Sequence, residues 1–105
     1  MSGIKVCLDG RILPLVRARV PVFDRGLLFG DGIYETLRSY GGRRFREADH
    51  FHRLAASARR LGFRLPVSAA MLAREVTRTL AANRLRDARI RIVVTRGVGR
   101  PDLSA

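Results

Sequence analysis

One cysteine, one lysine and no long apolar run mark this sequence first by what it has little of. Cys7 has no partner for an internal disulfide, and no Cys/His spacing suited to zinc occurs. No apolar stretch approaches the ~20 residues that cross a bilayer. The opening Met-Ser-Gly-Ile-Lys lacks the charged-then-apolar build of a secretory signal, so a cytoplasmic protein is expected. Polar tracts, single-residue repeats and linkers are also missing. With 47% hydrophobic residues, that excludes intrinsic disorder. Acidic residues are scarce too, 9 against 21 basic ones, giving a net charge of +12.

What is abundant is arginine, since Lys5 is the only lysine. A basic surface for nucleic acid is one reading of this charge. Against it, the arginines are scattered (Arg11, Arg19, Arg38, Arg59, Arg78, Arg100), and no aromatic platform for stacked bases accompanies them. Nucleic-acid binding therefore stands as the rival from another class. At 105 residues the chain suits one domain, 1–105, with one modest core.

Hydrophobic periodicity organises the chain. Ile4 to Leu8 and Arg11 to Leu13 flank Asp9-Gly10, a favoured two-residue turn, and predict a hairpin. Pro14 and Pro21 bracket a connector, and Asp24-Arg25-Gly26 and Phe29-Gly30-Asp31-Gly32 read as turns. From Ile33 to Tyr40 the pattern is extended. Ile33, Glu35 and Leu37 share one face, and Tyr34, Thr36, Arg38 and Tyr40 the other. Gly41-Gly42 turns the chain so that Arg43 to Arg46 can return. Helical spacing follows at Ala48, Phe51, Leu54, Ala55, Ala58 and Leu61, ended by Gly62. Ser68 is the expected N-cap of a second helix that buries Leu72, Val76 and Leu80. Alternation resumes from Ala88 to Thr95, with Ile90, Ile92 and Val94 inward. The expected fold class is α+β, a mainly antiparallel sheet covered on one side by two helices.

Three features could carry chemistry. His50 and Arg53 lie three apart near a helix start and share a face, an arrangement suited to holding a phosphate. The same spacing also arises on any amphipathic helix with a polar face. Gly30-Asp31-Gly32 precedes a strand, so it is neither a P-loop nor a dinucleotide fingerprint. It can bring backbone close to a ligand just before Tyr34. The polar strand face of Tyr34, Thr36 and Arg38, with Arg89 and Arg91, could bind a carboxylate or consist of ordinary cross-strand pairs.

Taken in order, Phe23-Asp24-Arg25-Gly26, Phe29-Gly30-Asp31-Gly32-Ile33-Tyr34-Glu35, Asp49-His50-Phe51-His52-Arg53-Leu54 and Val94-Thr95-Arg96-Gly97 resemble the N-terminal domain of the class IV (fold-type IV) aminotransferases. That family embraces branched-chain and D-amino-acid aminotransferases and aminodeoxychorismate lyases. The resemblance implies pyridoxal 5'-phosphate as cofactor, an amino acid and a 2-oxo acid as substrates, and a homodimer. It implies that Arg53 contacts the cofactor phosphate, that Tyr34 lines the substrate pocket, and that Thr36 and Arg91 lie around it. It gives His50 the role of orienting Arg53 or the helix. Tyr34-Glu35-Thr36 differs from the Phe-Glu-Gly common in branched-chain enzymes. Thr36 resembles the lyases instead, and Tyr34 the D-amino-acid group, which leaves the lyase as the alternative within the family.

Pyridoxal-phosphate enzymes need a lysine. Lys5 lies in the first strand, where the family has no catalytic lysine, so no catalytic residue is assigned within this chain. The expectation is that a C-terminal domain carries it, the chain being a fragment, a truncated gene product or one whose site a second polypeptide completes, and that the chain alone is inactive.

Overall fold

A computed structural model describes residues 3–98. Strands β1 (Lys5–Leu8) and β2 (Arg11–Pro14) form the expected hairpin. Asp9 and Gly10 both take positive φ at its turn. The hairpin is a sheet of its own. A second, three-stranded antiparallel sheet has the order β4-β3-β5, from β3 (Gly32–Tyr40), β4 (Arg43–Arg44) and β5 (Ala88–Thr95). β3 and β5 pair along eight residues, from Gly32↔Thr95 to Ser39↔Ala88. β4 is shorter than the expected return from Arg43 to Arg46 and pairs only with Ser39 and Tyr40. Arg46 instead adopts positive φ and caps the helix that follows.

The two long helices are α2 (Glu47–Arg60) and α3 (Ala69–Ala82). Glu47 and Asp49 in the first turn of α2, and Arg59 and Arg60 in its last, complement the helix dipole. Gly62, at φ 84°, ends the helix, and Phe63 N–H reaches back to the Ala58 carbonyl. Ser68 caps α3 as expected, its hydroxyl accepting from Met71 N–H at 3.2 Å. Asn83 closes the other end of α3. It donates to the Thr79 and Lys5 carbonyls and accepts from Lys5 N–H, pinning the hairpin to the helix.

Phe51, Leu54, Leu72, Val76 and Leu80 form the core, packed against Ile33, Ile90, Ile92 and Val94 of the sheet. The apolar stripe of α2 is narrower than its period suggests. Ala48 and Leu61 at its ends are exposed.

One element departs from the expected turns. Residues Arg25–Phe29 form a short helix, α1, capped by the Asp24 carboxylate, which accepts from Gly26 N–H at 2.8 Å. Asp24 also accepts from the Thr95 hydroxyl at 3.0 Å, and Arg25 N–H donates to the Gly97 carbonyl at 2.8 Å. The Phe23-Asp24-Arg25-Gly26 segment is thus a clasp joining the connector to the end of β5. Arg96 reinforces it with a charge contact to Asp31 at 2.7 Å that lacks hydrogen-bond alignment. The clasp leaves Val22, Phe23, Leu27 and Phe29 largely exposed.

Candidate functional site

The centre of the site is a buried carboxylate. Glu35 lies on the inner face of β3 between Ile33 and Leu37, where α2 packs, and its side chain is only 8% exposed. An ionised group in such a place needs partners. Arg53 supplies a fork: Nε donates to Oε2 at 2.9 Å and Nη2 to Oε1 at 2.8 Å. His50 Nδ1 lies 2.7 Å from the same Oε1. A carboxylate only accepts, so Nδ1 carries the proton and Nε2 is the acceptor nitrogen when the ring is neutral. The 3.5 Å approach of Arg53 Nη2 to His50 Nδ1 is then two donors meeting at one acceptor, not a bond between them.

The Arg53 hydrogen bonds, aided by His50, hold the Glu35 carboxyl below the usual carboxylate range against the opposing effect of burial. The sign of the linkage follows. Stability from a depressed carboxyl is present above its unfolded pKa and is lost as pH falls through the folded one. Glu35→Gln is therefore expected to flatten the fall in stability on the acid side. Unfolding free energy measured against pH below about 5 checks this, the window being that of an ordinary carboxylate.

Arg53 belongs to both core and solvent. Its neighbour Leu54 is fully buried, yet 67% of the Arg53 side chain is exposed. Of the five guanidinium N–H groups, the two used by Glu35 leave three unspent. They border a cleft of ≈ 260 Å³ lined by Arg46, Asp49, His50 and Arg53 at the start of α2. Arg46 and Asp49 pair with each other at 2.9 Å across its rim. Such a donor set fits a phosphate: one fixed guanidinium and a helix N-terminus, with the one lining carboxylate already paired.

Tyr34, Thr36 and Arg91 gather elsewhere, on the opposite face of the sheet. The Arg91 guanidinium lies 4.0 Å from the centre of the Tyr34 ring, a close cation–π contact. Thr36 is the direct cross-strand partner of Arg91. Arg38 and Arg89 face one another one step further along, so this face is strongly cationic. Because successive β3 residues point to opposite sides, Arg53 with Glu35 and the Tyr34 group adjoin across the width of one strand. The edge of β3 beside them has no strand partner among the described residues, since β4 reaches only Ser39 and Tyr40.

Sequence reasoning named Arg53, Tyr34, Thr36 and Arg91 as candidates but left Glu35 without a role. Its signal was available: an ionisable residue in the inward register between two aliphatic residues demands a buried partner. No group of residues suited to a metal occurs among those described. Nor is any helix among them long and apolar enough to cross a membrane.

The profile of the amino-transferase class IV family matches residues 32–105. The chain belongs to this family. It is 45% identical over 96 residues to a putative branched-chain-amino-acid aminotransferase of Methanocaldococcus jannaschii, covering 91% of this chain and 33% of that protein. It is 37% identical over 98 residues to a D-alanine aminotransferase of Listeria innocua, covering 93% and 34%. Among solved structures, the branched-chain aminotransferase of Thermoproteus uzoniensis with norvaline superposes with a TM-score of 0.83 at 35% identity, over 96% of this chain and 35% of that one. The chain thus spans about a third of the length of the curated relatives it matches. The helix-backed antiparallel sheet is the architecture expected of class IV aminotransferases.

Proposed function

We propose that this chain is the N-terminal part of a pyridoxal-phosphate-dependent aminotransferase that moves an amino group between an amino acid, of the branched-chain or D-amino-acid type, and a 2-oxo acid. The observation that carries the reading is Arg53, a guanidinium fixed on a buried carboxylate with three N–H groups left for an anion at the cleft. Pyridoxal phosphate, when bound, supplies the electron sink for amino-group transfer. Arg53 binds its phosphate and His50 steadies the shared carboxylate. On the far side of β3, Arg91 and Thr36 receive a substrate carboxylate, and the Tyr34 ring walls the pocket. Thr36 favours the lyase as the second reading, because its hydroxyl stands where branched-chain enzymes commonly have no side chain.

The lysine this chemistry requires is not assigned to Lys5. That residue is held in β1, where its backbone is tied to Asn83. We assign it to a further domain of the full-length protein, consistent with relatives about three times as long. The cytoplasmic, homodimeric state belongs to the same proposal. Nucleic-acid binding loses ground, because Arg44, Arg46 and Arg96 are committed to carboxylates and Arg78 and Arg86 to backbone carbonyls.

In the full-length protein, Arg53→Ala removes charge-assisted hydrogen bonds to the phosphate. The expected loss in pyridoxal-phosphate affinity is about ten- to a hundredfold. Folding is disturbed less, because Arg53 is mostly exposed and Glu35 keeps its bond to His50. Equilibrium titration of the cofactor beside thermal unfolding tests this, and unchanged affinity would overturn the assignment.

A further inference from the structure

We propose that Glu35 is a positioning residue for anion binding, acting only through Arg53. The inference rests on the phosphate-binding reading of Arg53 and goes beyond it by naming what makes that arginine effective. An arginine on an exposed helix face spreads its charge over many rotamers, and binding an anion must then restrict them. Here the Glu35 carboxylate grips one guanidinium edge, accepting from Nε at 2.9 Å and Nη2 at 2.8 Å, which fixes both the plane of the group and which N–H groups remain free. His50 takes up the remaining room at Oε1 and keeps the carboxylate from turning. Arg46 and Asp49 pair with one another at the rim, so Asp49 acts on Arg53 through its charge alone while Glu35 holds the hydrogen bonds.

The choice of residue is itself informative. Glu35 sits in the inward register between Ile33 and Leu37, where an aliphatic side chain would continue the core. Replacing a buried ion pair with well-packed apolar residues is often neutral or stabilising, so packing alone does not call for a carboxylate. Glu35 also subtracts from the positive field that draws an anion. What it contributes in return is direction.

The test uses the full-length protein and compares pyridoxal 5'-phosphate with pyridoxal, which lacks the phosphate. Glu35→Gln keeps the shape and the His50 contact but loses the charged fork. Its expected effect is a roughly tenfold loss of affinity for the phosphorylated compound. Pyridoxal affinity stays unchanged. In an Arg53→Ala background the same substitution should have no further effect. A purely structural role would lower affinity for both compounds together with the melting temperature. Arg53→Lys serves as the second variant, since it keeps the charge but cannot form the fork, and it should lose the phosphate preference as Glu35→Gln does. Glu35→Gln or Arg53→Lys with wild-type or tighter affinity for the phosphorylated compound overturns the proposal, as do additive effects in the double variant. Failure of the underlying reading looks different: Arg53→Ala would itself leave the preference for phosphate intact.

Discussion

Leu54→Ala is expected to lower stability by about 2–5 kcal/mol, the range for emptying a fully buried leucine site. Leu54 has no exposed surface and lies where α2 meets Leu72, Val76 and Leu80 on one side and the β3–β5 sheet on the other. Both secondary structures bordering it are long and paired, so the cavity has little freedom to collapse. A domain of this size is stable by only about 5–15 kcal/mol, so the loss is a large fraction of the whole. In melting temperature it corresponds to roughly 4–8 °C for each kcal/mol. The consequence reaches the site, because Leu54 is the anchor beside Arg53: loosening α2 loosens the Glu35 fork. Leu61→Ala at the C-cap of the same helix is the control. Leu61 is 38% exposed, and a comparable loss there would show that burial does not decide the outcome. Denaturant unfolding with an unchanged slope measures both.

Gly26→Ala has the second large effect, and two forces compete over it. Alanine is about 1 kcal/mol better than glycine in a helix, and Gly26 lies in α1. But a Cβ built there overlaps the Thr95 methyl and comes within 3.0 Å of the Asp24 Oδ1 and Thr95 Cβ. Thr95 cannot yield cheaply. Its hydroxyl donates to Asp24 and accepts from Gly97 N–H, so withdrawal undoes the clasp. Overpacking costs about 1–3 kcal/mol. Each hydrogen bond lost adds about 1 kcal/mol. Sterics therefore win, and a net destabilisation of about 1–4 kcal/mol is expected from those terms. Thr95→Ser removes the obstructing methyl and keeps the hydroxyl, so it should restore part of the loss in the double variant. Thermal unfolding of the two single variants and the double variant decides the matter, and a stabilised Gly26→Ala protein would show that the clasp does not hold this glycine.

Much of the fold was legible because its signals are local. Period-two alternation located β3 and β5 and assigned their faces. The helical spacing of Phe51, Leu54 and Ala58 located α2, and Ser68 marked the start of α3. What was illegible depended on contacts distant in sequence. The segment at Asp24 is dense in turn residues, yet it forms α1, because its cap is shared with Thr95, 71 residues away. β4 stops after Arg44 because Arg46 turns into the cap of α2, an outcome no strand pattern encodes.

The site divides along the same line. The sequence by itself determined the family-like motifs, the shortage of lysine, and the candidacy of Arg53, Tyr34, Thr36 and Arg91. Residue types and spacings are enough for that. Only the tertiary structure decided that Arg53 and Tyr34 stand on opposite sides of β3, and that Glu35 links the strand to Arg53. The physical reason is that a carboxylate placed in a core must find its counter-charge. Which arginine among so many would meet it depended on how α2 crosses the sheet.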